Sequence, residues 1–113
     1  MALPKAIKAD ITRILEKYCN EKIPAEFKNE IQLNYEFYGL SVFLIENRYI
    51  KYKDKWVNMK IAKFKFDLKS GTWALFCSDR NDRWHPYQET GNESDFQILL
   101  EAVEKDVTGI FWG

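Results

Sequence analysis

Residues 62–78 read AKFKFDLKSGTWALFCS, and this stretch decides the fold class. Its first half alternates apolar and polar side chains, with Ala62, Phe64 and Phe66 separated by single lysines. That period of two is typical of a strand with one buried face. Ser70-Gly71 then provides a tight turn, and the apolar run after it predicts a second strand in the middle of the sheet. Two strands joined so tightly favour an antiparallel sheet.

More strands extend the pattern in both directions along the chain. Residues 31–37 alternate in the same way, Tyr38-Gly39 has the composition of a two-residue hairpin turn, and residues 40–45 form an apolar run that predicts a strand covered on both faces. Residues 48–58 are rich in tyrosine and lysine and fit either a continued strand or a loop. Residues 83–87 predict a short edge strand, because their proline cannot donate to a sheet ladder.

Helical periodicity marks both ends of the chain. Apolar residues at spacings of three and four predict a helix over residues 5–19. Ser94 and Gln97 have the spacing of a capping box and predict the start of a second helix, and Gly109 marks its end. The predicted fold is α+β in one domain, residues 1–113: an N-terminal helix, a four- to five-stranded antiparallel meander and a C-terminal helix, packed as two layers with the helices on one face.

The composition is that of a globular domain whose charges are balanced but segregated. Apolar residues make up 46% of the chain and aromatic residues 16%, which excludes disorder and favours a sheet. The formal net charge is zero, which argues against nonspecific polyanion binding by the whole surface. However, residues 51–69 hold seven lysines against two aspartates, and residues 89–106 hold six acidic residues against one lysine. Such a molecule can pair head to tail with a second copy, as a homodimer.

The cysteines and the hydropathy indicate the cellular compartment in which the protein is expected. Cys19 and Cys77 share no metal-binding or redox spacing, and two distant thiols are typical of a reduced cytosolic protein. No run approaches the roughly 18 apolar residues of a membrane span, and the charged first ten residues are unlike a signal peptide. We expect a cytoplasmic protein with no membrane partner and no metal or other cofactor, since one histidine and two separated cysteines cannot supply four zinc ligands.

His85 is the single histidine of the chain, and it raises the question of catalysis. It could serve as a base for Cys77, with Asp79 or Asp82 as its orienting partner, which would make the protein a small hydrolase. However, Cys77 lies in an apolar strand, where burial keeps a thiol protonated and inert. A lone histidine beside a proline is more often a hydrogen-bonded edge residue. No catalytic residue is therefore assigned, and a non-enzymatic protein is expected.

Residues 51–65 suggest another function, because they mix lysines with tyrosine and tryptophan. Proteins that bind single-stranded nucleic acid stack bases on aromatic rings over a basic sheet face. Against this, Phe64 and Phe66 alternate with Lys63 and Lys65, so these rings and charges should lie on opposite faces. The favoured interpretation is a core face backed by a solvated lysine face, and nucleic-acid binding is the less favoured alternative.

A shallow ligand-binding patch is predicted where charged and aromatic side chains come close together along the strands. Arginine forks match carboxylate and phosphate oxygens, and arginine also stacks on tryptophan. The alternative is a surface network of ion pairs with little energetic value. The residues assigned to the patch are Arg48, Lys63, Arg80, Trp84, His85 and Tyr87.

The chain from roughly residue 31 to its end resembles DUF3024, a family of small bacterial proteins described as a domain of unknown function. The resemblance implies a short cytosolic protein with a compact α+β fold, and it implies no particular activity. Cys77 stands where the family pattern has a ring, and Glu46-Asn47-Arg48-Tyr49 departs from the pattern Glu-x-Arg-Pro. The residues that carry the resemblance are Trp73, Arg80, Trp84, Tyr87, Asp106, Gly109, Phe111, Trp112 and Gly113.

The sequence as a whole favours a non-enzymatic interaction or binding module. The reasons are the lack of a catalytic constellation, the segregated charge and the surplus of aromatic residues. Such a module is expected to associate with itself through a face or an edge of its sheet. The large apolar residues at the end of the chain should be buried, so deletion of Phe111, Trp112 and Gly113 should destabilise the fold.

Overall fold

The computed structural model describes residues 1–112, and Gly113 lies outside the described residues. Helices stand at both ends of the strands, as the periodicity predicts. A 3₁₀ turn follows the first helix at Ala25–Phe27, and another joins the second and third strands at Lys51–Lys53. The helices and strands in chain order are α1 (Lys5–Lys22), β1 (Ile31–Tyr38), β2 (Ser41–Ile50), β3 (Lys55–Asp67), β4 (Thr72–Ser78), β5 (Trp84–Pro86) and α2 (Phe96–Lys105).

The strands form one antiparallel meander in the order β1-β2-β3-β4-β5, which confirms the predicted α+β fold. Each strand pairs with its neighbour in sequence, as short connections favour. The first turn is Gly39-Leu40, one position later than predicted, because Tyr38 still pairs with Ser41 across the hairpin. Gly39 has a φ of 59°, a left-handed conformation that most other residues adopt only with strain.

β2 and β3 form a hairpin that extends beyond the rest of the sheet. The ambiguous residues 48–58 belong to it, and Asp54 in a left-handed conformation leads into β3. β3 pairs with β2 along residues 55–65 but with β4 only along residues 63–67. Within the described chain, residues 55–61 therefore have a strand on one side only. We call this segment the open edge of β3.

A β-bulge near the middle of this hairpin changes which side chains face the core. Leu44 lies opposite Ala62 whereas Ile45 lies opposite Lys60, so Ile61 is an additional residue on β3. Ile61 and Ala62 are both buried, although they are consecutive. The bulge shifts the alternation of β3, so that odd-numbered residues before it and even-numbered residues after it share one face.

The helices cover one face of the sheet, which we call the inner face. Phe64 is fully buried there, with its ring 4.6 Å from the ring of Phe96 on α2, and α1 adds Ile11 and Leu15 to the same core. This arrangement confirms the predicted two-layer packing. The opposite, outer face carries Lys63 and the residues in register with it. The buried strand residues of the core are Leu33, Val42, Leu44, Ile61, Ala62, Phe64, Phe66, Trp73 and Leu75.

Each helix differs from the sequence prediction at one end. α2 is capped by Asp95 rather than Ser94, because the Asp95 carboxylate accepts the backbone N–H of Gln97 at 3.0 Å and satisfies a free donor of the first turn. α1 continues beyond its predicted end to Lys22, whose ammonium lies 2.7 Å from the carboxylate of Glu104 on α2. Contacts between the helices thus extend α1.

Glu104 joins the two helices and makes the stability depend on pH. Its carboxylate accepts hydrogen bonds from the Lys22 ammonium (2.7 Å) and the Tyr18 hydroxyl (2.6 Å), and these lower its pKa in the folded protein. A carboxyl group with a lowered pKa stabilises the fold above its ordinary pKa, and this contribution is lost as the pH falls through the folded value. We expect Glu104→Gln to lower the free energy of unfolding by about 1 kcal/mol at neutral pH, a value reduced by solvent screening.

Urea denaturation near neutral pH and again near pH 3 measures this effect. The difference in unfolding free energy between the wild type and Glu104→Gln should narrow at the lower pH, because the unfolded chain binds a proton at Glu104 there and the advantage of the charged carboxylate is progressively lost. Glu101→Gln, at an exposed position on the same helix, is the matched control and should change little. An equal difference in unfolding free energy at both pH values would show that Glu104 does not act through its charge.

The end of the chain folds back onto α2, and we call residues 106–112 the latch. Asp106 leaves the helix in a left-handed conformation, and its carboxylate oxygens accept the backbone N–H groups of Phe111 (3.0 Å) and Trp112 (2.8 Å). The ring nitrogen of Trp112 donates to the carbonyl of Val103 at 2.9 Å. Phe111 is buried, with its ring 4.9 Å from that of Tyr87. The predicted burial of Phe111 is confirmed, and the family-like ending has a structural role.

Candidate functional site on the open side of the sheet

The outer face carries a small group of aromatic rings covered by lysines. Phe43 is only 9% exposed, yet it takes no part in the inner core. The Trp84 ring lies 5.6 Å from it, and the Lys60 ammonium lies 4.5 Å from its ring centroid. The Lys63 ammonium lies between the rings of Phe43 (5.9 Å) and Phe76 (5.3 Å). We call these five residues the ring–lysine cluster.

Strand register explains why these side chains meet. Phe43 lies directly opposite Lys63, and Lys63 lies directly opposite Phe76, so the three form one row across β2, β3 and β4. Directly opposite residues in antiparallel strands project from the same face. Pro86 of β5 lies opposite Phe76 in this row, and Trp84, two residues before Pro86 and opposite Ser78, projects from the same face. The pairing of distant segments therefore creates a surface that no local spacing reveals.

The lysines of this face lack acidic partners. Lys60, Lys63 and Lys65 form no ion pair within the part of the chain that the structure describes. The pKa of the Lys63 ammonium is lowered, first by partial burial and then by the positive charges of Lys65 and Lys60. Glu36 of β1 stands on the same face, opposite Phe43, and is exposed. Three neighbouring ammonium groups give this part of the outer face a positive potential.

An asparagine ladder crosses the outer face beside the cluster. The Asn34 amide donates to the side-chain oxygen of Asn47, and the Asn47 amide donates to the side-chain oxygen of Asn58. The ladder runs from β1 to β3 and ends with the exposed Asn58 at the open edge of β3. Further along the hairpin, the rings of Tyr49 and Trp56 pack 5.6 Å apart.

The open edge of β3 is apolar as well as unpaired. Trp56, Val57 and Met59 are 42%, 40% and 59% exposed. An unpaired and exposed apolar edge can pair with another chain, so this edge is a candidate interaction site. A cleft of about 540 Å³ separates this edge from the loop between β4 and β5, and its lining includes Asn58, Met59, Lys60, Asp79, Arg80 and Trp84.

Part of the predicted ligand patch lies on this side of the molecule. Lys63 and Trp84 belong to the ring–lysine cluster, and Arg80 lines the cleft beside Trp84. His85 is exposed on β5 but alternates away from Trp84 to the face of Cys77, and its Nε2 lies 2.7 Å from the Oδ2 atom of Asp79. Ligand binding by these residues stays a prediction that the structure leaves open to experiment.

The remaining patch residues lie elsewhere. Arg48 alternates to the opposite face of the hairpin, where it lies across from Val57, and its guanidinium pairs with Glu46 at 3.3 Å. Tyr87 is 5% exposed and packs against Phe111 in the inner core. Closeness in sequence groups these residues with Trp84, but the alternation of strand faces separates them.

Cys77 and His85 lie directly opposite each other on β4 and β5, yet the chemistry does not favour a nucleophile. Burial raises the pKa of the Cys77 thiol, whereas a working cysteine needs a lowered pKa. His85 is engaged by Asp79, whose carboxylate also accepts the backbone N–H groups of Asn81 and Arg83 and shapes the turn. These contacts give Asp79 and His85 a structural role in the β4–β5 connection.

Phe43 and Phe76 are the outer-face residues that sequence reasoning missed. Each lies in an apolar run that predicts burial on both faces, and such a run does not show which ring points away from the helices. The sequence held no signal that separates Phe43 from Val42 and Leu44, because all three are apolar, and only the structure shows that Val42 and Leu44 are fully buried on the inner face. The additional residue Ile61 shifts the alternation of β3 by one position. Lys60 therefore lies on the outer face with Lys63, which the even spacing from Ala62 and Phe64 does not predict.

Within residues 1–112, no group of three or more histidine, cysteine, aspartate or glutamate side chains is close enough to hold a metal ion. No helix in the same residues is both long and apolar enough to cross a membrane. Cys19 and Cys77 are free thiols, the first buried and the second half-buried.

Comparison with known proteins finds one family. Its model, with the description Domain of unknown function (DUF3024), matches residues 3–113. The match therefore includes α1 as well as the region whose sequence already resembles this family. No curated protein and no solved structure matches the chain.

Proposed function

The chain belongs to the DUF3024 family, and we propose that it is a non-enzymatic binding module that forms a homodimer through the open edge of β3. The observation that carries this proposal is a strand edge that is both unpaired and apolar. We also place the protein in the bacterial cytoplasm, because its free thiols, Cys19 and Cys77, suit a reducing compartment.

The open edge has what another strand needs for pairing. Its seven positions, residues 55–61, exceed the usual strand length of about five or six residues. Natural sheets often block an edge with lysine, but the Lys60 ammonium lies over the ring of Phe43 at 4.5 Å. Lys60 therefore leaves the middle of the edge accessible, and the other lysine of the segment, Lys55, stands at the start of β3.

A second copy suits this edge because antiparallel self-pairing matches the side chains. With Asn58 at the two-fold axis, Val57 lies opposite Met59 of the partner subunit, and Trp56 lies opposite Lys60 of the partner subunit. The first pair would cover two exposed apolar side chains, and the second would place a cation beside a ring. The asparagine ladder, which ends at Asn58, would continue across the axis.

Sedimentation equilibrium over a range of protein concentrations tests the homodimer. The wild type should dimerise, and the double variant Val57→Lys, Met59→Lys should weaken the dimer at least tenfold, about 1.4 kcal/mol, because it places like charges opposite each other. Both wild-type side chains are well exposed in the protomer, so folding should be unaffected.

Leu68→Lys and Ile98→Lys are the matched controls, because these residues are 43% and 45% exposed and lie away from the open edge. Both controls should dimerise like the wild type. A wild type that stays monomeric at high concentration would contradict the proposal, and so would a double variant that dimerises as tightly as the controls.

A further inference from the structure

We propose that the outer face also binds single-stranded nucleic acid, with bases stacked on the ring–lysine cluster and phosphates bound by Lys60, Lys63 and Lys65. This goes beyond self-association, because the rings, Lys63 and Lys65 belong to one protomer and lie outside the open edge of β3, which shares only Lys60 with this surface. Binders of single strands combine a basic surface with aromatic rings on which bases stack. The outer face carries lysines over Phe43, which is 9% exposed, and over the half-buried Phe76, with the half-buried Trp84 beside Phe43.

The structure removes the main argument against nucleic acid. Phe64 and Phe66 do lie on the face opposite Lys63, as alternation predicts. However, other rings occupy the lysine face, since Phe43 and Phe76 flank Lys63 in the same row. Cations and rings therefore share one surface after all.

The lysines mark the ring faces on which bases can stack. The Lys60 ammonium lies 4.5 Å from the ring of Phe43, and the Lys63 ammonium lies 5.3 Å from the ring of Phe76. When a single strand arrives, each flexible lysine can move to a phosphate while a base takes its place on the ring. The exchange is favourable, because a base stacked on a protein ring contributes more than an exposed cation–ring contact does.

Charge complementarity points to the same ligand. Lys60, Lys63 and Lys65 crowd one area without an acidic partner in the described chain, and their mutual repulsion helps to lower the pKa of Lys63. A phosphate between them would relieve that repulsion. A protein partner would have to bring carboxylates in the same pattern as well as flat apolar groups, whereas a nucleotide strand carries both in every unit.

The outer face also favours single strands over duplexes. From Phe43 to Tyr49 the outward positions of β2 follow each other about every 6.6 Å, twice the rise of a strand residue. These outward positions along β2 therefore connect the ring–lysine cluster to a second pair of rings, Tyr49 and Trp56. Rings on an open sheet face can stack on unpaired bases, whereas a duplex keeps its bases stacked inside.

Fluorescence anisotropy with labelled oligothymidine and oligouridine tests the proposal. The wild type should bind both at low salt and release them as salt rises. Trp84→Ala should weaken binding about tenfold, the effect expected for the loss of one stacking ring. Lys63→Gln should weaken binding and reduce the salt slope by about one, as the loss of one phosphate contact requires.

Two matched controls distinguish binding at this site from nonspecific binding of nucleic acid elsewhere on the protein. Tyr52→Ala removes a ring that is 86% exposed and also carries a lysine, Lys53 at 5.6 Å, but lies in the hairpin turn. Lys17→Gln removes an exposed charge from α1. Both should bind like the wild type, and far-UV circular dichroism should show that every variant is folded.

Three results would overturn the proposal. The first is no binding of either oligonucleotide at low salt. The second is binding that polyphosphate matches and Trp84→Ala leaves unchanged, which would reflect charge alone. The third is a Trp84→Ala variant that binds normally but no longer dimerises, which would assign the cluster to a second copy of the chain.

Discussion

Replacement of Phe111 by alanine should lower the free energy of unfolding by about 3–5 kcal/mol. The ring is 6% exposed and packs 4.9 Å from the ring of Tyr87, and its backbone N–H is fixed by the Asp106 carboxylate at 3.0 Å. Because the latch holds the backbone in place, the neighbouring side chains cannot easily fill the space that the ring leaves. A loss of this size is a large fraction of a typical domain's stability.

Chemical denaturation of Phe111→Ala beside Ile110→Ala measures this effect. Ile110 is the preceding residue and is 46% exposed, so its truncation should cost less than about 1 kcal/mol. Deletion of residues 111–113 should be at least as destabilising as Phe111→Ala, since it also removes the bond from Trp112 to the Val103 carbonyl. Unchanged melting after deletion would show that these residues do not hold the fold together.

Replacement of Phe64 by alanine should have an effect of similar size, about 3–5 kcal/mol. Phe64 has no exposed surface, and its ring lies 4.6 Å from that of Phe96, so it connects the centre of the sheet to α2. The loss combines the transfer of a large ring to water with the cavity left between the sheet and the helix.

Tyr38→Ala is the matched control for Phe64→Ala in the same denaturation series. Tyr38 is also a strand aromatic residue, but it stands on the outer face and is 76% exposed. Its truncation should change the free energy of unfolding by less than about 0.5 kcal/mol. Equal losses for the two variants would contradict the division into a buried inner face and an open outer face.

The fold follows from the sequence because its signals are local. The alternation around Phe64 and Phe66 predicts a half-buried strand, and both residues are in the inner core. The turn at Gly39 and the start of α2 are predicted to within one residue. Each of these features depends on periods of two or of three to four and on turn or capping chemistry, all of which operate over a few neighbouring residues.

The bulge and the long hairpin could not be predicted in this way. Ile61 looks like one more position in an alternating strand, and only pairing with β2 shows that it is additional. The tyrosine- and lysine-rich residues 48–58 become strands because they pair with each other across a turn at Asp54. Such contacts depend on register, which hydrophobic pattern specifies weakly where neither face is fully buried.

The candidate site was accessible to sequence reasoning only in part. The sequence predicts a patch that includes Lys63, Arg80 and Trp84, and these three lie on the open side of the sheet, whereas Tyr87 of the same predicted patch is a core residue. Phe43, which is central to the ring–lysine cluster, stayed hidden inside an apolar run. A surface assembled by cross-strand pairs requires knowledge of which strands are neighbours and of the register between them.

Hydrogen–deuterium exchange of the backbone amides in residues 55–61, measured at low and high protein concentration, tests most directly whether the open edge of β3 is an interface. Amides of this segment that point toward β2 are already bonded, whereas those that point away from β2 are unpaired and exchange quickly until a partner strand protects them. We expect the exchange of these outward-pointing amides to slow as the concentration rises, while the amides of β4 change little. Fast exchange of the outward-pointing amides at every concentration would contradict the proposed homodimer.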